Sequence, residues 1–200
     1  MPNKWKVISF YTPKYKDIVR SLRKSLNKFN IPYDIEPMED KGSWKKNTYQ
    51  KCQFIRRKLD EHNDTLIWLD ADAIIMKYPK YFDFIEEDVA VYIKRNTRLW
   101  GEIISGCVFL RNTPQVKQFV DWWVDLCAKD TIYHLREQQH MSNALKEFYL
   151  LKHWVSVFFL PNSYSVIKGI TEWEEPVIFQ SQASRGIKGR GCGGMVPEYE

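Results

Sequence analysis

Two hundred residues, 44% of them apolar, suffice for one domain with a sizeable core and argue against a second, independent one. A net charge of +5 at pH 7 favours anionic partners such as nucleotide phosphates, nucleic acid or acidic glycans. No apolar run approaches membrane-spanning length, and Met1–Lys6 lacks the apolar stretch of a signal peptide, so no membrane span and a cytoplasmic location are expected.

In chain order, Val7–Thr12 reads as a short strand, and Ile18, Val19, Leu22, Leu26 and Phe29 recur at helical spacing after Pro13. Tyr33–Glu36 predicts a second strand. Gly42-Ser43 then precedes a helix whose apolar stripe runs through Cys52, Ile55 and Leu59. The next strand, Leu66–Leu69, carries directly into Asp70-Ala71-Asp72 and Ala73-Ile74-Ile75. Pro79–Glu86 predicts a short helix, and Val89–Ile93 and Cys107–Leu110 two more strands. Thr113-Pro114 starts a helix as cap and first position, and Val116, Phe119, Val120, Trp123 and Cys127 form its buried stripe. A last helix is predicted over about Arg136–Phe148. Alternating strands and helices imply a mostly parallel sheet flanked by helices, with ligands gathering beyond the carboxyl ends of the strands. The four cysteines (Cys52, Cys107, Cys127 and Cys192) are scattered and indicate neither a zinc site nor a disulfide framework; free thiols are expected.

Asp70 and Asp72 are the most informative residues. Carboxylates are costly in a core strand unless paired or bound to metal, and at alternate strand positions both would face one hard cation. His134, His140 and His153 lack metal-ligand spacing. The terminal stretch from Arg185 to Gly194 alternates glycine with basic residues, the pattern of a frayed tail or of a flap that neutralises a diphosphate through Arg185, Lys188 and Arg190.

Four segments resemble the GT-A class of nucleotide-sugar glycosyltransferases: Tyr49–Ile55 running into Thr65–Ala73, Ile104–Thr113, Arg136–Gln139, and Pro176–Arg185. The resemblance spans nearly the whole chain. It implies a GT-A-like, Rossmann-related α/β domain with a mixed, mostly parallel sheet, in which about 1–95 is a nucleotide-binding half, about 96–184 a sugar and acceptor half, and 185–200 a basic glycine-rich tail. It also implies a nucleotide-sugar donor, UDP-linked, and a divalent cation, Mn²⁺ or Mg²⁺, held by Asp70 and Asp72. Many members place a histidine near the closing strand as a further ligand; this chain has Phe179-Gln180-Ser181-Gln182 there, leaving an amide oxygen of Gln182 or Gln180, or water and diphosphate, to complete the site.

Such a cation would stabilise the charge that develops on a departing nucleoside diphosphate. Lys51, Arg185 and Lys188 would add positive charge at the phosphates, although Lys51 sits among Lys45, Lys46, Arg56, Arg57 and Lys58 and equally fits a solvated helix face. Tyr11 and Thr12 would meet the nucleotide, and Ser105, Gly106 and Trp100 the sugar or acceptor. Glu137 is the candidate at the reacting centre, as a base in an inverting reaction or a holder of donor hydroxyls in a retaining one, with Gln138 bonding sugar hydroxyls. The acceptor is a glycan or a nucleic acid.

Two other classes share parts of the pattern. Mg²⁺-dependent phosphatases with an aspartate nucleophile also use Asp-x-Asp after an apolar strand, but open the domain with it, whereas two strands and two helices precede it here. A basic nucleic-acid-binding module fits the charge balance and the interleaved aromatics.

Overall fold

The computed structural model describes residues 5–94, 102–152, 154–170 and 175–183. β1 (Trp5–Tyr11), α1 (Val19–Lys28), β2 (Tyr33–Pro37), α2 (Trp44–Glu61) and β3 (Thr65–Leu69) alternate as predicted. Ser43 caps α2 by accepting from Lys46 N at 3.3 Å. β4 (Ala73–Ile75), β5 (Val89–Lys94) and β6 (Glu102–Leu110) follow. Then come α3 (Pro114–Lys129), α4 (Glu137–Lys146), β7 (Val157–Phe159), β8 (Val166–Ile167) and β9 (Ile178–Gln180). Thr113 caps α3 at Val116 N, with Pro114 in the first turn, as its sequence demands.

Six strands form the main sheet in the order β2-β1-β3-β6-β5-β7. β1 runs parallel to β2 and β3, β7 parallel to β5, and β6 antiparallel to both its neighbours, so only β6 is reversed. β3 shows why its sequence reads as one apolar run: Leu66 and Trp68 enter the core beneath α2, α3 and α4, while Ile67 and Leu69 enter the core on the α1 side. A small sheet, β4-β9-β8, closes the second face. Among the described residues no helix is long and apolar enough to cross a membrane.

Three expectations need correction. Asp70 and Asp72 do not lie in a strand: β3 ends at Leu69, and Ala73 N bonds Asp70 O at 2.9 Å, making Asp70–Ala73 a tight turn that delivers β4 to the small sheet. The helix predicted over Pro79–Glu86 is a single 3-10 turn at Lys80–Asp83. The last helix stops at Lys146 and widens into a π turn over Glu147–Leu151.

Candidate active site

The carboxyl ends of β1 and β3, the start of the reversed β6 and the first turns of α2 and α4 surround one cleft of about 900 Å³, within the range of about 300–1,000 Å³ usual for small-molecule sites. Of the residues singled out from sequence, Tyr11, Thr12, Lys51, Asp70 and Asp72 line it from the first half of the chain, and Ser105, Gly106, Glu137, Gln138 and Gln182 from the second. Trp100, Arg185 and Lys188 lie outside the described residues.

β6 brings its residues to the rim by breaking register. Val91 pairs with Val108 but the next residue, Tyr92, pairs with Ile104, so Ser105, Gly106 and Cys107 have no β5 partner. Gly106 O instead accepts from Asp70 N at 3.0 Å, tying the bulged segment to the aspartate turn. A Cβ on Gly106 would lie 2.3 Å from Gln180 Oε1. The missing side chain therefore admits the buried Gln180 amide, which also reaches Ser165 Oγ at 3.4 Å.

Lys51 is the hub. Its side chain is buried, and its ammonium lies 2.9 Å from Asp70 Oδ1, 3.6 Å from Glu137 Oε2, and 3.2 and 3.1 Å from Ser105 O and Oγ. It is no solvated helix face. Burial opposes its charge, but Asp70 and Glu137 outweigh that and hold its pKa above the ordinary lysine value. Trp68, passed over in the sequence, places its ring 5.3 Å from the same ammonium and donates Nε1–H to Asp70 Oδ1 at 3.0 Å. Asp70 Oδ2 has no partner among the described residues. Asp72 Oδ2 accepts from Ala183 N at 2.9 Å, one residue beyond Gln182, whose φ of +58° is left-handed. Such a backbone costs a non-glycine residue about 1 kcal/mol or more, and persists where its surroundings impose it, often at functional sites.

Glu137 opens α4 with its carboxylate inward. Oε2 accepts from Ser105 Oγ at 3.2 Å, while Oε1 is buried without a partner among the described residues. Gln138 is held at both ends, its Oε1 accepting from Ser105 N at 3.2 Å and its Nε2 donating to Glu102 Oε1 at 2.8 Å. Behind them, Asp130 anchors the loop into α4 by accepting from His134 N, Leu135 N and Tyr49 Oη, with His140 Nε2 at 3.0 Å. Tyr15 and Trp44, two further aromatic residues of the cleft, carried no sequence signal beyond aromaticity.

One positive charge thus faces three carboxylates. Burial first, and then the charge of Asp70, push Asp72 up to about 6. Burial pushes Glu137 up to about 7, opposed by Lys51 and reinforced by Asp70. Three carboxylates against one ammonium, the open Asp70 oxygen and the nearby Gln182 amide offer hard oxygen atoms of the kind a divalent cation takes, and a cation there would displace the protons that burial favours on Asp72 and Glu137. A second group, Asp34, Glu61 and His62, brings ligand atoms within 4.8 Å of one another, but Lys58 Nζ sits 2.7 Å from both Asp34 Oδ2 and Glu61 Oε2 and takes the cation's place.

Neither a family model nor a curated protein sequence matches the chain. Solved structures do. A glycosyltransferase involved in glycosylation of the major capsid of PBCV-1 superposes with a TM-score of 0.63 at 11% identity, over 93% of this chain and 98% of that one. The galactosyltransferase LgtC, in complex with donor and acceptor sugar analogs, superposes with a TM-score of 0.52 at 10% identity, over 96% and 98%. This chain folds as the GT-A glycosyltransferases do. Streptococcus pneumoniae GlyE gives 0.60 at 15% identity, over 88% of this chain, which spans only 55% of GlyE. At these identities the likeness is one of fold: a mixed, mostly parallel sheet flanked by helices.

Proposed function

We propose that this chain is a divalent-cation-dependent glycosyltransferase that moves a sugar from a nucleoside-diphosphate donor, UDP-linked, to an acceptor hydroxyl. The observation that carries this reading is the cluster of Asp70, Asp72 and Glu137 around one buried Lys51, with negative charge in surplus, at the carboxyl-end cleft of a GT-A fold. Asp70 and Asp72 would hold the cation, with Gln182 as third ligand. When bound, it supplies the positive charge that stabilises the departing diphosphate.

The protein groups divide the remaining work. Lys51 fixes Asp70 and Glu137 relative to each other, so both carboxylates enter the reaction already oriented. Tyr11 and Thr12 meet the nucleotide at the end of β1, in the half of the chain up to about residue 95. Arg185 and Lys188 are assigned to the phosphates, and Ser105, Gly106 and Trp100 to the sugar. Gln138, clamped between Ser105 and Glu102, presents its remaining N–H to a sugar hydroxyl. Glu137 Oε1 is the free oxygen at the centre: in an inverting reaction it takes the acceptor proton, and in a retaining one it holds donor hydroxyls. The anomeric proton signal of the product separates the two.

Titrating a panel of nucleotide sugars with Mn²⁺ while following the melting temperature tests the donor half. One UDP-sugar should raise it, and chelator should reverse the rise. No shift with any donor, alongside metal-dependent turnover of an aryl phosphate, would replace the reading with a phosphatase.

A further inference from the structure

Three positive side chains line the cleft among the described residues, and they are not equivalent. Lys51 is engaged by Asp70, Glu137 and Ser105. The Lys94 ammonium and the Arg136 guanidinium have no ion-pair or hydrogen-bond partner among the described residues. Both sit at the same end of the cleft. Lys94 closes β5 in register with Glu102, whose Oε1 accepts from Gln138 Nε2 at 2.8 Å. Arg136 immediately precedes Glu137, and only its backbone serves the helix cap, Arg136 N donating to Gln139 Oε1 at 2.8 Å while the exposed guanidinium is left over. Trp44, 37% exposed on the first turn of α2, lines the same cleft, and this turn is tied to the loop before α4 by Lys45 Nζ donating to Tyr133 O.

The donor does not account for these cations. Its diphosphate belongs beside Asp70 and Asp72, whereas Lys94 and Arg136 flank Glu102 and Glu137, where an acceptor must approach. Positive groups without partners in a cleft raise the local concentration of anions and bind them. A guanidinium fork matches a carboxylate or phosphate through two parallel hydrogen bonds. We infer that the acceptor is an anionic saccharide, its carboxylate or phosphate held by Arg136 and Lys94. This rests on the glycosyltransferase reading.

Binding of matched sugar pairs, followed by saturation-transfer NMR on the protein loaded with UDP and Mg²⁺, tests it. Glucuronate against glucose probes a carboxylate, glucose 6-phosphate against glucose a phosphate, and galacturonate and mannose 6-phosphate repeat both on other rings. At least one charged member should bind about tenfold more tightly than its neutral partner, with the gap closing as NaCl screens it. Arg136→Gln and Lys94→Gln should each narrow the gap. Arg136→Glu should turn preference toward glucosamine, a gain that a misfolded variant cannot produce. Equal or absent binding of every pair overturns the inference. If wild-type protein with Mn²⁺ still hydrolyses a nucleotide sugar, the transferase reading survives that result; if it hydrolyses none, both fall. A single-stranded oligonucleotide that displaces every charged sugar at far lower concentration would make the partner a nucleic acid and overturn the saccharide.

Discussion

Lys51 and Lys58 lie about two turns apart on one helix, both buried and both bonded to carboxylates, yet the acids around them shift in opposite directions. Around Lys58, the acids Asp34, Glu36 and Glu61 share Lys58 with Arg57, which bonds Glu36 at 2.6 Å and Glu61 at 2.7 Å, and with His62 at 2.9 Å from Asp34. Asp34, despite its burial, is held below the usual carboxylate range by Lys58 and His62; Glu36 is held below it by Arg57 against its burial, with help from Lys58. Among the described residues no second cation bonds the acids around Lys51, and Asp72 and Glu137 rise. An ion cluster whose acids are shared among several donors serves the fold. One left with surplus charge on an open cleft is built to receive a ligand.

The largest effect expected from this contrast is on turnover. Asp70→Asn or Asp72→Asn should lower Mn²⁺-dependent donor hydrolysis by about 10²- to 10³-fold, whereas Asp34→Asn should leave it near wild type; equal losses would erase the distinction. Next comes stability in urea. Lys51→Met strands the buried Glu137 carboxylate beside a partly exposed Asp70 and should cost about 3 kcal/mol together with activity, while Lys58→Met, whose acids keep Arg57 and water, should cost about 2 kcal/mol with turnover per folded molecule unchanged.

A pH series sharpens the comparison further. Glu137 is raised in the folded state, so its contribution is fully present below its unfolded value near 4 and is lost as pH climbs through about 7. Without metal, wild type should therefore lose up to about 3 kcal/mol relative to Glu137→Gln between pH 4 and 8, and saturating Mn²⁺ should suppress that loss. Asp34 and Glu36 act in the opposite sense, stabilising above their unfolded values and failing as acid protonates them. The smallest effect is expected at Gly106→Ala. Its new methyl group must push the Gln180 amide aside, costing about 1 kcal/mol and raising the KM for donor with little change in kcat.

Local pattern announced β1, β2, β3 and α1 to α3, because apolar period and cap residues are short-range signals that tertiary contacts reinforced here. It did not announce the turn at Asp70–Ala73, since Ala73-Ile74-Ile75 is as strand-like as Leu66–Leu69 and only its pairing with β9 reveals another sheet. The register break in β6 was equally silent, as Ser105-Gly106-Cys107 is ordinary strand sequence until Asp70 N bonds Gly106 O. Buried lysines defeat hydropathy altogether: Lys51 and Lys58 read as solvated until carboxylates from β2, the β3 turn and α4 arrive. The apolar run ending in Asp70 and Asp72 marked that pair by itself and the family resemblance added Glu137, whereas the parts of Trp68, Glu102 and Arg136 emerge only from the folded chain.

Because β6 alone points against its neighbours, the cleft's rim gathers chain that is synthesised early and chain that is synthesised late. A nascent polypeptide that has reached only Leu110 carries Lys51 and Asp70 but lacks α4 and with it Glu137, the acid on the opposite side of Lys51. Under the proposed transferase reading, a half-made copy would carry the aspartate turn without the acid that completes the cleft, so the site would be assembled only once the last part of the chain docks.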